Sequence, residues 1–233
     1  ISTPKRIFDE AAVSAALKDV LDGLTDPAEI QAAAVAVLQD AQKNGRAEIA
    51  RAFAASPFNA RPMTSAYCYL TDQLVRTTLQ IAGQRLHPIE TLGPNDRLAV
   101  IGVGGYGRGE MAPYSDVDLL FLIPQTPSQR TENLIESMLY MLWDLKLKVG
   151  HSTRTIRDCV TLGREDFTIQ TALLEHRFIA ADVALAQDLD ETLKTDLFAG
   201  TGRSFIEAKL EERDARHRKQ GLRYVVAVSY THL

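Results

Sequence analysis

The chain has 233 residues, 45% hydrophobic and 24% charged, with a formal net charge of −4. That balance fits an ordinary globular protein of one sizeable domain, or a catalytic domain with a helical companion. It excludes the strong positive field that recruits nucleic acid or an anionic membrane, and no apolar run reaches the roughly 20 residues of a membrane span.

The N-terminal "ISTPKRIFDEAAVSAAL" lacks an apolar core followed by a small-residue cleavage site, so it does not read as a secretory signal. It begins at Ile1 rather than Met, as a fragment would. Cys68 and Cys159 are far apart, with no C-x-x-C spacing. They read as buried, small apolar side chains in a reducing compartment, which points to the cytoplasm.

Up to about His87 the chain reads as helical. Asp26 is an N-cap, Pro27 takes the first helical position, and Ile30, Ala33, Ala34, Val37 and Leu38 recur at helical spacing. Gly45 is a point where this helix is expected to break or kink. A second helix covers "TSAYCYLTDQLVRTTLQIAGQRL", with Tyr67, Leu70, Leu74, Leu79 and Ile81 as core positions, and ends before Pro88 and the Gly93-Pro94 pair. At Arg97 the character changes. "RLAVIGV" predicts a strand entering a tight turn, and "VDLLFLI", closed by Pro124, predicts a buried strand. "SQRTENLIESMLYMLWDL" is an amphipathic helix with Leu134, Met138, Leu139, Met141 and Leu142 on its apolar side, and with Tyr140 and Trp143 read as core. "KLKVGHSTRTI" predicts a third strand.

Beyond Asp158 three helices are expected, "REDFTIQTALLEHRFIA", "DVALAQDLDETLKTDLF" and "RSFIEAKLEERDARHRKQ". His176 and Arg177 would suit the C-terminal dipole of the first. The last reads as a solvated, charge-laced face. The fold class is therefore α/β (α+β), a small mixed sheet flanked by helices. The expected organisation is an N-terminal helical region (1–93), a core (94–160), a helical region (161–226) and an atypical tail (227–233).

The segment "RLAVIGVGGYGRGEMAPYSDVDLLFLIP" carries two motifs. Gly102, Gly104 and Gly107 fit G-x-G-x-x-G, which in a dinucleotide fold must be followed by a crossover helix of about a dozen residues joining parallel strands. Only nine residues, "RGEMAPYSD", separate Gly107 from Val117, and Pro113 lies among them. One short turn of helix fits; a crossover does not. A Walker loop is excluded because no Gly-Lys-Ser/Thr follows the glycines.

The second motif is Asp116-x-Asp118. Residues two apart in a strand share a face, and paired carboxylates are costly unless a cation joins them. Alone, the pair also fits a strand edge with two solvated aspartates. Beside it stand Gly104-Gly105, which let backbone approach a phosphate, the Ser115 hydroxyl and the Arg108 guanidinium. Together these place phosphate donors opposite a metal pair, as metal-assisted nucleotidyl transfer requires.

"GG…SDVDLL" resembles the polymerase-β-like nucleotidyltransferase superfamily. The longer "GGYGRGEMAPYSDVDLLFL", with "VGHSTRTIRDCVTLGREDFTIQTALLEHRFIAAD" and "RHRKQG…RYVV", resembles the N-terminal part of the bacterial PII uridylyltransferase family over most of the chain. The resemblance implies Mg²⁺-dependent transfer of UMP from UTP to a tyrosine hydroxyl of the PII signalling protein, with release of pyrophosphate. It implies glutamine as effector of the full-length enzyme. It assigns Asp116 and Asp118 to the metal and to catalysis, and Gly104, Gly105, Arg108 and Ser115 to the nucleotide phosphates. No His-Asp dipeptide, the mark of the family's uridylyl-removing domain, occurs, and nothing corresponds to its ACT domains. "AVSYTHL" departs from the family pattern and reads as a truncation point or foreign tail. Many superfamily members carry a third carboxylate on a later strand, but "KLKVGHSTRT" has none. Asp144 and Asp158 only flank it, and His151 is either that position's occupant or a structural histidine. Arg154 and Arg157 read equally as phosphate ligands or as solvated side chains. Another nucleotidyltransferase, adenylylating a protein or small molecule, and a non-catalytic nucleotide-binding module are the rival readings.

Overall fold

Strands β1 (Ala99–Gly102), β2 (Val117–Leu122), β3 (Val149–Arg154) and β4 (Arg177–Ala181) form one sheet in the order β3-β2-β1-β4. This computed structural model describes residues 2–58 and 60–220. The stretch "RYVV" and the tail 227–233 lie outside the described residues. β1 runs antiparallel to both β2 and β4, whereas β2 and β3 are parallel and joined through helix α6 (Gln129–Asp144). The antiparallel β1–β2 pair removes the dinucleotide reading independently of the short connection, since that fold needs parallel strands there.

The two central strands are apolar on both faces because both are covered. Val100, Val117, Leu119 and Phe121 pack toward helices α3 (Pro27–Ala54), α4 (Ala60–Ile81) and α6. Ala99, Ile101, Leu120 and Leu122 pack toward α7 (Ile156–Glu165), α8 (Phe167–Leu174), α9 (Val183–Thr192) and the π-helical turn Leu193–Phe198. The N-terminal side is completed by α1 (Pro4–Ile7) and α2 (Glu10–Leu21), and the described chain ends in α10 (Gly202–Gln220).

The expected helix start at Asp26 holds: its Oδ1 accepts from the N–H groups of Ala28 (2.9 Å) and Glu29 (3.0 Å). The expected break at Gly45 does not occur, and α3 runs unbroken through it. A Cβ there would stand 2.6 Å from the Ile7 carbonyl oxygen and 2.8 Å from a Leu70 methyl, so the glycine serves close packing of α1 and α4 against α3. Leu70, Leu74 and Ile81 are core, with Tyr67 and Leu79 half-buried. Leu134, Met138, Leu139, Met141 and Leu142 are buried as expected, but Tyr140 and Trp143 are not core. They are 48% and 42% exposed and stack edge-to-face on the outer side of α6.

The single helix expected over "REDFTIQTALLEHRFIA" is replaced by the end of α7, the short α8 capped by Asp166, and strand β4. β4 pairs with the free edge of β1, a long-range partnership that overrides local helical spacing. The sheet thus takes its fourth strand from within the stretch 161–226, read as a helical region. Arg177 accordingly sits in a strand rather than at a helix C-terminus.

Candidate active site

β1 ends at Gly102, and the chain turns at once into α5 (Gly104–Gly107), a single helical turn. Gly104 has φ +59°, a conformation open to glycine at little cost. The N–H groups of Gly104, Gly105 and Tyr106 begin this turn and so have no acceptor within it. The Val103 N–H donates to the Asp118 carbonyl (3.0 Å), which seats the turn beside β2. A Cβ on Gly104 would lie 3.4 Å from Asp118 Oδ2, so the bare glycine backbone faces the carboxylate with no side chain between them.

Asp118 shares its sheet face with Leu120 and Leu122, at the mouth of an open cleft of about 340 Å³ lined by Val103, Gly104, Asp118, Gly150, Arg154 and Ile169, among others. Burial, followed by the negative charge of Asp116, pushes its carboxyl above the ordinary carboxylate value. Asp116 is exposed just before β2 begins. Neither aspartate side chain has a hydrogen bond or ion pair among the described residues. Two neighbouring carboxylates, one half-buried and destabilised as an anion, suit a hard divalent cation. Among the described residues no group of three or more His, Cys, Asp or Glu gathers anywhere, so water and phosphate oxygens would complete such an ion's shell.

β3 supplies no third carboxylate. Asp118 pairs in register with Gly150, and Leu119 with His151. Paired residues of neighbouring strands point to the same face. His151 therefore stands on the opposite face of the sheet from Asp118, exposed at the rim of the cleft, with its ring 6.1 Å from that of Trp143. Asp144 accepts from Gln31 at the end of α6, and Asp158 closes a capping box with Thr155, so neither reaches the cleft. Arg154 lines the cleft; Arg157 is exposed.

Of the other expected phosphate ligands, Arg108 stays near the turn, with its Nη2 3.6 Å from where a Cβ of Gly105 would stand. Its Nη1 donates to Glu175 at 2.6 Å. Ser115 lines a separate small crevice with Gln42, Arg46, Tyr67 and Tyr114. Tyr114 has φ +66° and lies under the Arg46 guanidinium (5.5 Å), a strained residue two positions from Asp116.

Sequence reasoning passes over Gly150 and Glu175. A Cβ on Gly150 would fall 2.5 Å from Asp118 Oδ1, so this position must stay empty for the carboxylate to keep its place. The signal was a glycine inside a strand pattern, which marks close approach.

The family model of glutamate-ammonia ligase adenylyltransferase matches residues 2–142. The chain belongs to this nucleotidyltransferase family. The chain is also similar to bifunctional uridylyltransferase/uridylyl-removing enzymes: it is 57% identical to that of Ruegeria pomeroyi over 94% of its length. It is 53% identical to that of Cereibacter sphaeroides over 95% of the chain and 41% identical to that of Rhodospirillum rubrum over 97%. It spans 24% of the length of each. Among the described residues, no helix is long and apolar enough to cross a membrane.

Proposed function

We propose that this chain transfers UMP from UTP to a tyrosine hydroxyl of the PII nitrogen-signalling protein, as the N-terminal catalytic part of a cytoplasmic enzyme whose full length responds to glutamine. The observation that carries this reading is that the Gly104 turn faces the Asp118 carboxylate across one cleft, a backbone open to phosphate beside a carboxylate suited to a cation. The choice of uridylyl over adenylyl rests on the names of the relatives 41–57% identical to it. The family's adenylyltransferase description supports the coarser chemistry alone.

Asp116 and Asp118 would hold Mg²⁺, which polarises the α-phosphate and neutralises the departing pyrophosphate. The Gly104-Gly105 turn admits the β- and γ-phosphates close to backbone N–H donors, and Arg108 beside the turn adds charge-assisted hydrogen bonds, whereas Ser115, in its separate crevice, is left out of the phosphate site. The tyrosine oxygen forms a bond to the α-phosphorus in line with the bridging oxygen, whose bond breaks as pyrophosphate leaves. The hydroxyl proton passes to a carboxylate of the pair.

The test is incubation with α-labelled UTP or ATP, Mg²⁺ and purified PII protein. Label on a PII tyrosine from UTP, lost in Asp116→Asn and Asp118→Asn, is expected. Transfer from ATP alone would overturn the uridylyl assignment, and nucleotide binding without transfer to any acceptor would favour a non-catalytic module.

A further inference from the structure

The α5 turn has little reason to hold one shape by itself. Three of its four residues are glycine, and one helical turn is too short to be stable alone. Its one side chain beyond glycine, Tyr106, is 1% exposed and points into the protein, where its hydroxyl donates to Asp72 Oδ1 of α4 at 2.6 Å. Arg177 of β4 meets the same carboxylate with both ends of its fork, Nη1 to Oδ2 at 2.7 Å and Nη2 to Oδ1 at 3.1 Å. It also reaches the turn's own backbone, with Nη2 donating to the Tyr106 carbonyl (3.2 Å) and Nε to the Gly107 carbonyl (3.3 Å). Its guanidinium lies over the Tyr106 ring at 5.2 Å. Side chains 34 residues upstream and 71 downstream of Tyr106 thus converge on it.

We propose that Asp72, Tyr106 and Arg177 form a positioning clamp that fixes the glycine turn in the shape a triphosphate needs, an inference that rests on reading the turn as the phosphate site. The clamp grips the turn's side chain and its final carbonyls, which leaves the side facing Asp118 bare. Neither Asp72 nor Arg177 lines that cleft, so both act through the turn rather than on the substrate. Burial, ahead of the Asp72 charge, pushes the Tyr106 hydroxyl well above its ordinary value, so it remains a donor throughout the neutral range. A lysine at 177 would keep the charge but lose the planar fork that serves carboxylate and carbonyls together.

The experiment compares wild type, Tyr106→Phe, Arg177→Lys and a control, Val35→Ala, which loosens the buried core of α3 away from the turn. Calorimetry gives the dissociation constant of UTP with Mg²⁺, thermal melts give stability, and amide hydrogen exchange reports on residues 103–110. The clamp predicts that Tyr106→Phe and Arg177→Lys weaken UTP binding by about tenfold or more, since small misplacements of positioning groups have effects of that size. It also predicts faster exchange confined to the turn. Val35→Ala should lower the melting temperature and leave the dissociation constant unchanged. Tyr106→Phe keeps the Arg177–Asp72 fork, so it decides the matter if Arg177→Lys fails to fold. Unchanged binding and exchange in folded Tyr106→Phe, or equal weakening in Val35→Ala, overturns the clamp. A wild type that binds no UTP overturns the phosphate reading instead, and the exchange data then judge whether the clamp holds the turn at all.

Discussion

At Gly150 the decisive feature is empty space. A methyl group there would stand 2.5 Å from Asp118 Oδ1, well inside van der Waals contact. Gly150→Ala should therefore push the carboxylate from its place and lower kcat/KM of transfer by about 10–100-fold, the scale of an ångström-sized misplacement at a reacting centre. The melting temperature should change little, because β3 is an edge strand and Gly150 is exposed. Steady-state kinetics with thermal melts check both statements. Cys68 and Cys159 supply a second prediction at this scale. Burial pushes both thiols up to about 12, so at pH 8 about one molecule in ten thousand carries the thiolate at either site. A thiol reagent at pH 8 should leave the native protein unlabelled and modify both cysteines once it is denatured. Rapid labelling of the folded protein would contradict their burial, which their scattered, unpaired spacing already indicated.

Among the elements, the seam between α5 and the C-terminal end of α8 is the tightest. A Cβ on Gly107 would lie 1.9 Å from the Glu175 carbonyl oxygen and 2.8 Å from that of Gly102, both of them backbone. Gly107→Ala must move a strand or the turn, and should cost about 2 kcal/mol or more, the range of overpacking in a close-fitted interior. Chemical denaturation measures it. The helix starts are held by carboxylates. Asp166 and Asp158 accept backbone N–H groups, while Asp182 meets Arg97 first and caps α9 as well. Each is held below the ordinary carboxylate value. Their contribution is present above the unfolded value of about 3.9 and is lost as pH falls through the lower folded values. The melting temperature should therefore drop as pH is lowered below about 4, and Asp182→Asn should flatten that drop. The start of α3 was readable from Asp26-Pro27 because capping is local. β4 was not, because its strand character comes from the free edge of β1 far back in the chain, and no short-range pattern around Phe178 and Ile179 announces that partner.

Over the whole molecule, one sheet separates two apolar cores, and the cleft opens where β1, β2, β3 and α8 meet. That the glycine turn lies beside Asp118 was legible from the nine residues between Gly107 and Val117, too few for a crossover helix and enough for a return along the neighbouring strand. What holds the turn was not legible, because Asp72 and Arg177 belong to segments with no motif of their own and meet Tyr106 only through the packing of α4 and β4. The facing of His151 was equally hidden, since it depends on the register of β3 against β2. The unity of the site is tested most directly by calorimetric titration of UTP, with and without Mg²⁺, into wild type, Gly104→Ala and Asp118→Asn. Gly104→Ala strains a residue at φ +59° and sets a methyl 3.4 Å from the carboxylate, while Asp118→Asn removes the charge itself. UTP should bind wild type in the presence of Mg²⁺, and either substitution or omission of the metal should weaken it by about tenfold or more, as expected for charge-assisted contacts. Binding of equal strength with and without Mg²⁺, and in both variants, would contradict a shared phosphate and metal site.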